Sequence, residues 1–195
     1  MSALTAKRFS LQEYDRLAEL GFFQDDDHLE LIQGELIYMA AKGVAHEVCI
    51  TRLLRELPQC LGGSVTLRCQ SPVALPPDSE PEPDFAIVRN REDDYFSGHP
   101  QPADILWLIE VSDSSITYDQ SVKLVIYAAH GIAHYWIFNL LDAVLECYSD
   151  PYEGLQGTWA YRTKRIYLPT ERVAMPTVSA QASLSLAKVF PPHNP

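Results

Sequence analysis

The 195-residue chain has only four cysteines, Cys49, Cys60, Cys69 and Cys147, and no CxxC pair among them. Thiols this scattered exclude a dense disulfide framework and argue against a structural zinc site. No apolar run is long enough to cross a bilayer. Residues 1–27 also lack the apolar block that follows basic residues in a secretory signal. The expectation is a cytoplasmic protein with no membrane partner. Basic residues are scarce, 15 Lys and Arg against 26 Asp and Glu, for a formal net charge of -11. Phosphate affinity comes mainly from clustered lysine and arginine, so this balance opposes nonspecific adhesion to nucleic acid. It leaves room for a local basic rim, and for a metal site, which is itself acidic before its cation arrives. No internal repeat, helix-turn-helix or zinc module is visible.

What the chain does have is apolar content of 47%, enough to bury a continuous core, and the expectation is a single α/β domain over residues 1–195 with its core at about 9–168. Ser10-Leu11-Gln12-Glu13 has the form of a capping box and opens a first helix that Gly21 ends. Leu29 to Ile32 and Glu35 to Met39 are β-prone runs joined by Gln33-Gly34, which predicts a hairpin. From His46, apolar residues recur at helical spacing to Leu61, and Gly62-Gly63 stops the segment. Val65 to Cys69 and Val73 to Leu75 read as strands, followed by a proline-rich, acidic connection to Pro83. Phe85 to Val88 and Ile105 to Val111 are the unbroken apolar runs of central strands. A helix is expected over Asp119 to Ala129, then strands at Tyr135 to Phe138, Val144 to Tyr148 and Trp159 to Leu168, and a closing helix at Leu184 to Val189.

Two acids stand at the edges of these buried strands, where a charge is expensive unless it is paired or metal-bound. Asp84 precedes Phe85, and Glu110 follows five apolar residues. If their strands are neighbours, the carboxylates converge on one divalent cation, and oxygen ligands of this kind suit Mg²⁺ or Mn²⁺. Lys123, on the helix that follows, is placed to reach back to the same point. A metal that activates water and a fixed cation that offsets developing charge are what phosphodiester hydrolysis requires.

The string Leu29-Glu30-Leu31-Ile32-Gln33-Gly34-Glu35, then His46, Pro83-Asp84, Leu108-Ile109-Glu110-Val111-Ser112, Asp119, Lys123, Tyr127, Gly131 and Tyr135-Trp136-Ile137, closely resembles the Uma-two family of restriction-endonuclease-like proteins. That family is placed in the PD-(D/E)XK nuclease superfamily. The resemblance runs from about Phe9 to about Tyr167 and implies a restriction-endonuclease-like mixed β-sheet flanked by helices. It implies roles as well: Asp84 and Glu110 as acidic metal ligands, the Val111 carbonyl as a further ligand, and Glu30 as the extra glutamate of the site. His46 would orient water or phosphate. Ser112 occupies the usual lysine position of the superfamily, two after Glu110, and Lys123 is the candidate replacement.

Each residue also has a structural reading. Asp84 can end a turn after proline, Glu110 can pair with Lys123 without a metal, and Lys123 can pair with Asp119 at i,i+4. His46 can pack at a helix N-terminus, Glu35 can be solvated surface, and Tyr127, Tyr135 and Trp136 can be core. Asp25 to Asp27 reads as a solvated loop. The leading functional expectation is a Mg²⁺-dependent endonuclease acting on DNA, with Arg52, Arg55, Arg68, Arg89 and Arg91 as the available phosphate contacts. The alternatives are a noncatalytic scaffold that keeps the nuclease fold, favoured by Ser112 and the acidic charge, and a nuclease acting on RNA or branched DNA. General symmetry and the resemblance imply a homodimer.

Overall fold

The structure, a computed structural model, describes residues 5–24, 27–176 and 182–192. Ser10 caps α1 (Leu11–Glu19), accepting from the Glu13 N–H while Glu13 reaches back to the Ser10 N–H, so the capping box forms as expected. β1 (Leu29–Ile32) and β2 (Glu35–Tyr38) make the anticipated hairpin. Its turn residues Gln33 and Gly34 both have positive φ, 49° and 78°. A side chain at Gly34 is barred twice over, because an added Cβ would lie 2.7 Å from the Arg8 Cβ. Asp25 and Asp26 of the acidic run lie outside the described residues.

α2 (Val44–Leu61) runs to the Gly62 stop, and Pro58 sits within its last turn. β3 (Val65–Cys69), β4 (Phe85–Arg89), β5 (Ile105–Ser112), β6 (His134–Asn139), β7 (Val144–Glu153) and β8 (Trp159–Tyr167) form one six-stranded sheet in sequence order. Only β5 and β6 are parallel. Their crossover is helical: α3 (Ile116–Tyr118), a π-helical turn (Asp119–Lys123) and α4 (Leu124–Ala129) follow one another directly. A parallel pair needs such a connection, and it places a helix against one face of the sheet.

Three expectations are corrected here. Val73 to Leu75 forms no strand, only a bridge from Leu75 to Ser79, because the proline-rich loop folds back on itself. The expected closing helix is β10 (Ser183–Ser185), paired with an unanticipated β9 (Arg172–Ala174), followed by a single 3₁₀ turn (Leu186–Lys188). The helix over 119–129 starts earlier and contains the π turn.

The sheet separates two apolar layers. Trp107, Ile109 and Val111 of β5 face α2 and the β9–β10 hairpin with Leu53 and Leu57, whereas Leu108 faces α4 with Tyr127 and Ile132. By the two-residue alternation of a strand, Glu110 shares the face of Leu108. It therefore points at the crossover helix.

Leu53 is fully enclosed between α2 and the sheet. Leu53→Ala is expected to cost about 2–5 kcal/mol, read from urea unfolding at unchanged slope. A pH effect comes from Glu80 in the proline-rich loop, where burial, with Asp15 nearby, pushes the carboxyl from 4.5 up to about 7. The folded chain thus holds this proton more tightly than the unfolded one, so stability falls as pH rises from 4.5 through 7 and then levels. In Glu80→Gln that portion of the slope disappears, giving a higher melting temperature than wild type at pH 8 and little difference at pH 4.

Candidate active site

The register Phe85↔Ile109 between β4 and β5 puts Asp84, one step before β4, opposite Glu110. The Asp84 N–H points at Glu110 Oε2, 3.3 Å away. Both acids are buried, as are Glu30, His46, Asp119 and Lys123. All six line one cavity of about 300 Å³. It opens at the carboxyl end of β5, just where the chain leaves the sheet for its crossover helix.

Lys123 closes the centre. Its Nζ donates to Glu110 Oε1 at 3.0 Å and to Glu30 Oε1 at 2.9 Å, tying β5, β1 and the crossover together. Glu30 also accepts from the Glu82 N–H, and Glu110 from the Tyr127 hydroxyl at 2.9 Å. Asp84 forms the second half of the site. Its Oδ2 meets His46 Nε2 at 3.0 Å and accepts from the Val111 N–H at 2.9 Å, while Gln70 Nε2 donates to Oδ1. Asp119 accepts from the hydroxyls of Ser112 and Ser115. Ser112 therefore serves Asp119, and Lys123 comes from the following helix to the carboxylates.

Asp119 and Lys123 reach the site together from the π turn. The Tyr135 hydroxyl donates to the Asp119 carbonyl, and the Leu124 N–H bonds back to that same carbonyl, five residues away. Single π turns inside α-helices occur frequently at functional sites. Both residues, four apart and so on one helix face, are buried.

Charge decides what the site can hold. Four buried carboxylates, Glu30, Asp84, Glu110 and Asp119, surround the buried Lys123 and His46, and the more open wall of the cavity adds Glu82, Asp113 and Lys42. Burial pushes Glu110 well up, Lys123 opposes it, and Asp119, Asp84 and Glu30 reinforce it. Burial also disfavours the Lys123 ammonium, but Glu110, Glu30 and Asp119 outweigh this and hold it protonated. For Asp84, burial acts upward and is overcome by His46, the Val111 N–H and Gln70, which hold it below the ordinary aspartate range. The excess negative charge is of the kind that a divalent cation neutralises, and carboxylate oxygens are hard ligands suited to Mg²⁺ or Mn²⁺. The Nδ1 of buried His46 has no partner. Among the described residues, no three His, Cys, Asp or Glu side chains stand as a ready-made ligand cluster, because Lys123 occupies the point between Glu110 and Glu30.

Several alternatives are resolved. Lys123 pairs with Glu110 and Glu30; Asp119 is held by serines. Glu35 pairs with Arg8 at the surface. Tyr127 is core in its ring but reaches Glu110 with its hydroxyl. The five arginines are elsewhere: Arg52 donates to the Phe190 carbonyl, Arg55 lies beside Glu56, Arg89 binds the Ala103 carbonyl, Arg91 pairs with Asp93, and Arg68 stands over the Tyr95 ring. Gln70 was not anticipated. Glutamine carries no charge signal in a sequence, and its reach to Asp84 depends on a backbone φ of 46° at the end of β3.

A six-stranded mixed sheet with a carboxylate-lysine centre at its crossover defines a restriction-endonuclease-like α/β protein. Residues 11–187 match the model of the Uma2 family, described as "Putative restriction endonuclease", and the chain belongs to that family. Among solved structures it is similar to "a putative nuclease belonging to DUF820 from Anabaena variabilis", with a TM-score of 0.66 and 14% identity over 93% of this chain and 97% of that one. At this identity the likeness shows the fold. No curated protein matches the chain. Among the described residues no helix is long and apolar enough to cross a membrane.

Removing the lysine leaves two buried carboxylates uncompensated. Lys123→Met is expected to destabilise by about 3–5 kcal/mol in urea unfolding, and adding Glu30→Gln to recover part of that loss.

Proposed function

We propose that the protein is a metal-dependent endonuclease that hydrolyses phosphodiester bonds of DNA. The observation that carries this reading is the convergence of Asp84, Glu110, Glu30 and Lys123, from separate elements, on one cavity with an excess of negative charge. Asp84 and Glu110, with the Val111 carbonyl, would hold Mg²⁺, for which Mn²⁺ can substitute. The ion when bound lowers the pKa of a water and neutralises charge on the phosphate.

The chain's own residues supply the rest. Lys123, kept protonated by its carboxylates, offsets charge that builds on phosphate oxygens as water attacks. His46, fixed through Nε2 by Asp84, directs its unpartnered Nδ1 to water or phosphate. Tyr127 and the Val111 N–H hold the two carboxylates in place. A homodimer would set two such sites for two strands. The second reading, a noncatalytic scaffold, is favoured by the same network, since Lys123, Glu110, Glu30 and Tyr127 already satisfy one another.

Calorimetric titration with Mn²⁺ separates the two readings without any guess at substrate. Saturable binding that Asp84→Ala abolishes supports the metal site. No binding to folded wild-type chain, even at millimolar metal, overturns it in favour of the scaffold. With binding established, DNA is expected to be cleaved in panels of duplex DNA, branched DNA and RNA, and Lys123→Ala to slow cleavage by about 100-fold or more. Cleavage of RNA alone would overturn the substrate assignment.

A further inference from the structure

Four buried side-chain atoms among the described residues lack a hydrogen-bond partner, and two of these, His46 Nδ1 and the Tyr118 hydroxyl, belong to residues lining the candidate active site. His46 is already tied to Asp84 through its other nitrogen. Tyr118 has no such role. It ends α3, immediately before the π turn that carries Asp119 and Lys123, and its ring is half-buried in the cavity wall.

Three buried carboxylates of the cavity are satisfied by other donors. Glu30 takes Lys123 and the Glu82 N–H; Asp119 takes Ser112 and Ser115; Glu110 takes Lys123 and Tyr127. The phenol itself stays protonated, because burial, with Glu30 close by, pushes it up to about 12. Tyr118 is thus an unspent donor beside the cation of the site. Lysine offers three N–H groups, and two of those on Lys123 are spent on Glu110 and Glu30. A phosphodiester carries its charge on two non-bridging oxygens, each able to accept more than one hydrogen bond, so a single remaining N–H on Lys123 leaves room for a further donor besides His46 and the exposed Lys42 of the cavity wall.

We propose that Tyr118 is a further catalytic residue, whose hydroxyl donates a hydrogen bond to a non-bridging oxygen of the scissile phosphate next to Lys123. The assignment rests on the phosphodiesterase reading. It involves no proton transfer: the bond from water oxygen to phosphorus forms and the bond from phosphorus to the leaving oxygen breaks while Tyr118 keeps its proton.

The test is calorimetric titration of wild type and Tyr118→Phe with thymidine 3′,5′-bisphosphate in the presence of Ca²⁺, with Ca²⁺ affinity and thermal melting measured on both. Tyr118→Phe is expected to weaken nucleotide binding by about 10- to 100-fold, the worth of a hydrogen bond to a charged acceptor. Ca²⁺ affinity is expected to be unchanged and the melting temperature equal or higher, since the hydroxyl removed was unpaired. Equal nucleotide affinity in the two proteins overturns the Tyr118 assignment and leaves the phosphodiesterase reading standing. A fall in melting temperature shows that the hydroxyl was serving the fold, and also overturns it. Failure of the wild type to bind the nucleotide overturns both.

Discussion

The ammonium of Lys123, enclosed between Glu110 and Glu30, is the constraint from which the rest of the arrangement follows. A buried charge must be matched in position as well as in sign, and this one draws on three separate parts of the chain. Glu110 is fixed by its place in the central strand, Glu30 by the β1–β2 hairpin, and Lys123 by the crossover helix. If the hairpin slipped by one residue, Glu30 would turn to the opposite face and Leu31 would enter the site. Gly34 guards against this at the turn, since only a residue without Cβ lets the Phe9 N–H reach the Gly34 carbonyl. The ion pairs thus tie hairpin, sheet and crossover into one geometry, more through the penalty for breaking them than through the energy of forming them.

Much of this was legible in the chain. Buried-strand runs are recognisable by continuous hydrophobicity, and an acid at the end of such a run stands out because nothing nearby in sequence explains it; hence Asp84 and Glu110. Lys123 was legible by its place on the next helix, and Glu30 and His46 by resemblance to the family. The capping box at Ser10, the Gln33-Gly34 turn and the Gly62 stop each carry local chemistry that decides structure within a few residues.

Other features depend on distant contacts. The Asp119 carbonyl at the head of the π turn is bound by Tyr135, sixteen residues further on, a contact of which the periodicity of 119–129 gives no hint. Val73 to Leu75 has strand-like composition, but Val73 and Leu75 bond to the proline-rich loop that follows and Ala74 to the Pro100 carbonyl, and prolines cannot extend a ladder. Gln70 and Tyr118 acquire meaning only when the fold sets them beside the acids. Tyr127 shows the limit of residue-type reasoning: its ring packs as core, as its helical spacing suggests, while the hydroxyl alone belongs to the site.

The net charge of -11 reads differently once the site is visible. Some of the acidity that counted against nucleic acid is concentrated at the cavity, where six acidic residues, four of them buried, outnumber Lys42, His46 and Lys123. Charge buried in this way is directed at whatever neutralises it and contributes little to repulsion at the surface. The arginines, in turn, are spent on backbone carbonyls, an acid and an aromatic ring, and none lines the cavity. The cationic groups at the cavity are therefore Lys123 and His46 inside it and the exposed Lys42 on its wall, with no arginine among its lining residues. On the proposed reading, a pocket built this way would receive a phosphate only after its own negative charge had been balanced. The acids that make the protein look unsuited to nucleic acid would then be the groups that prepare it.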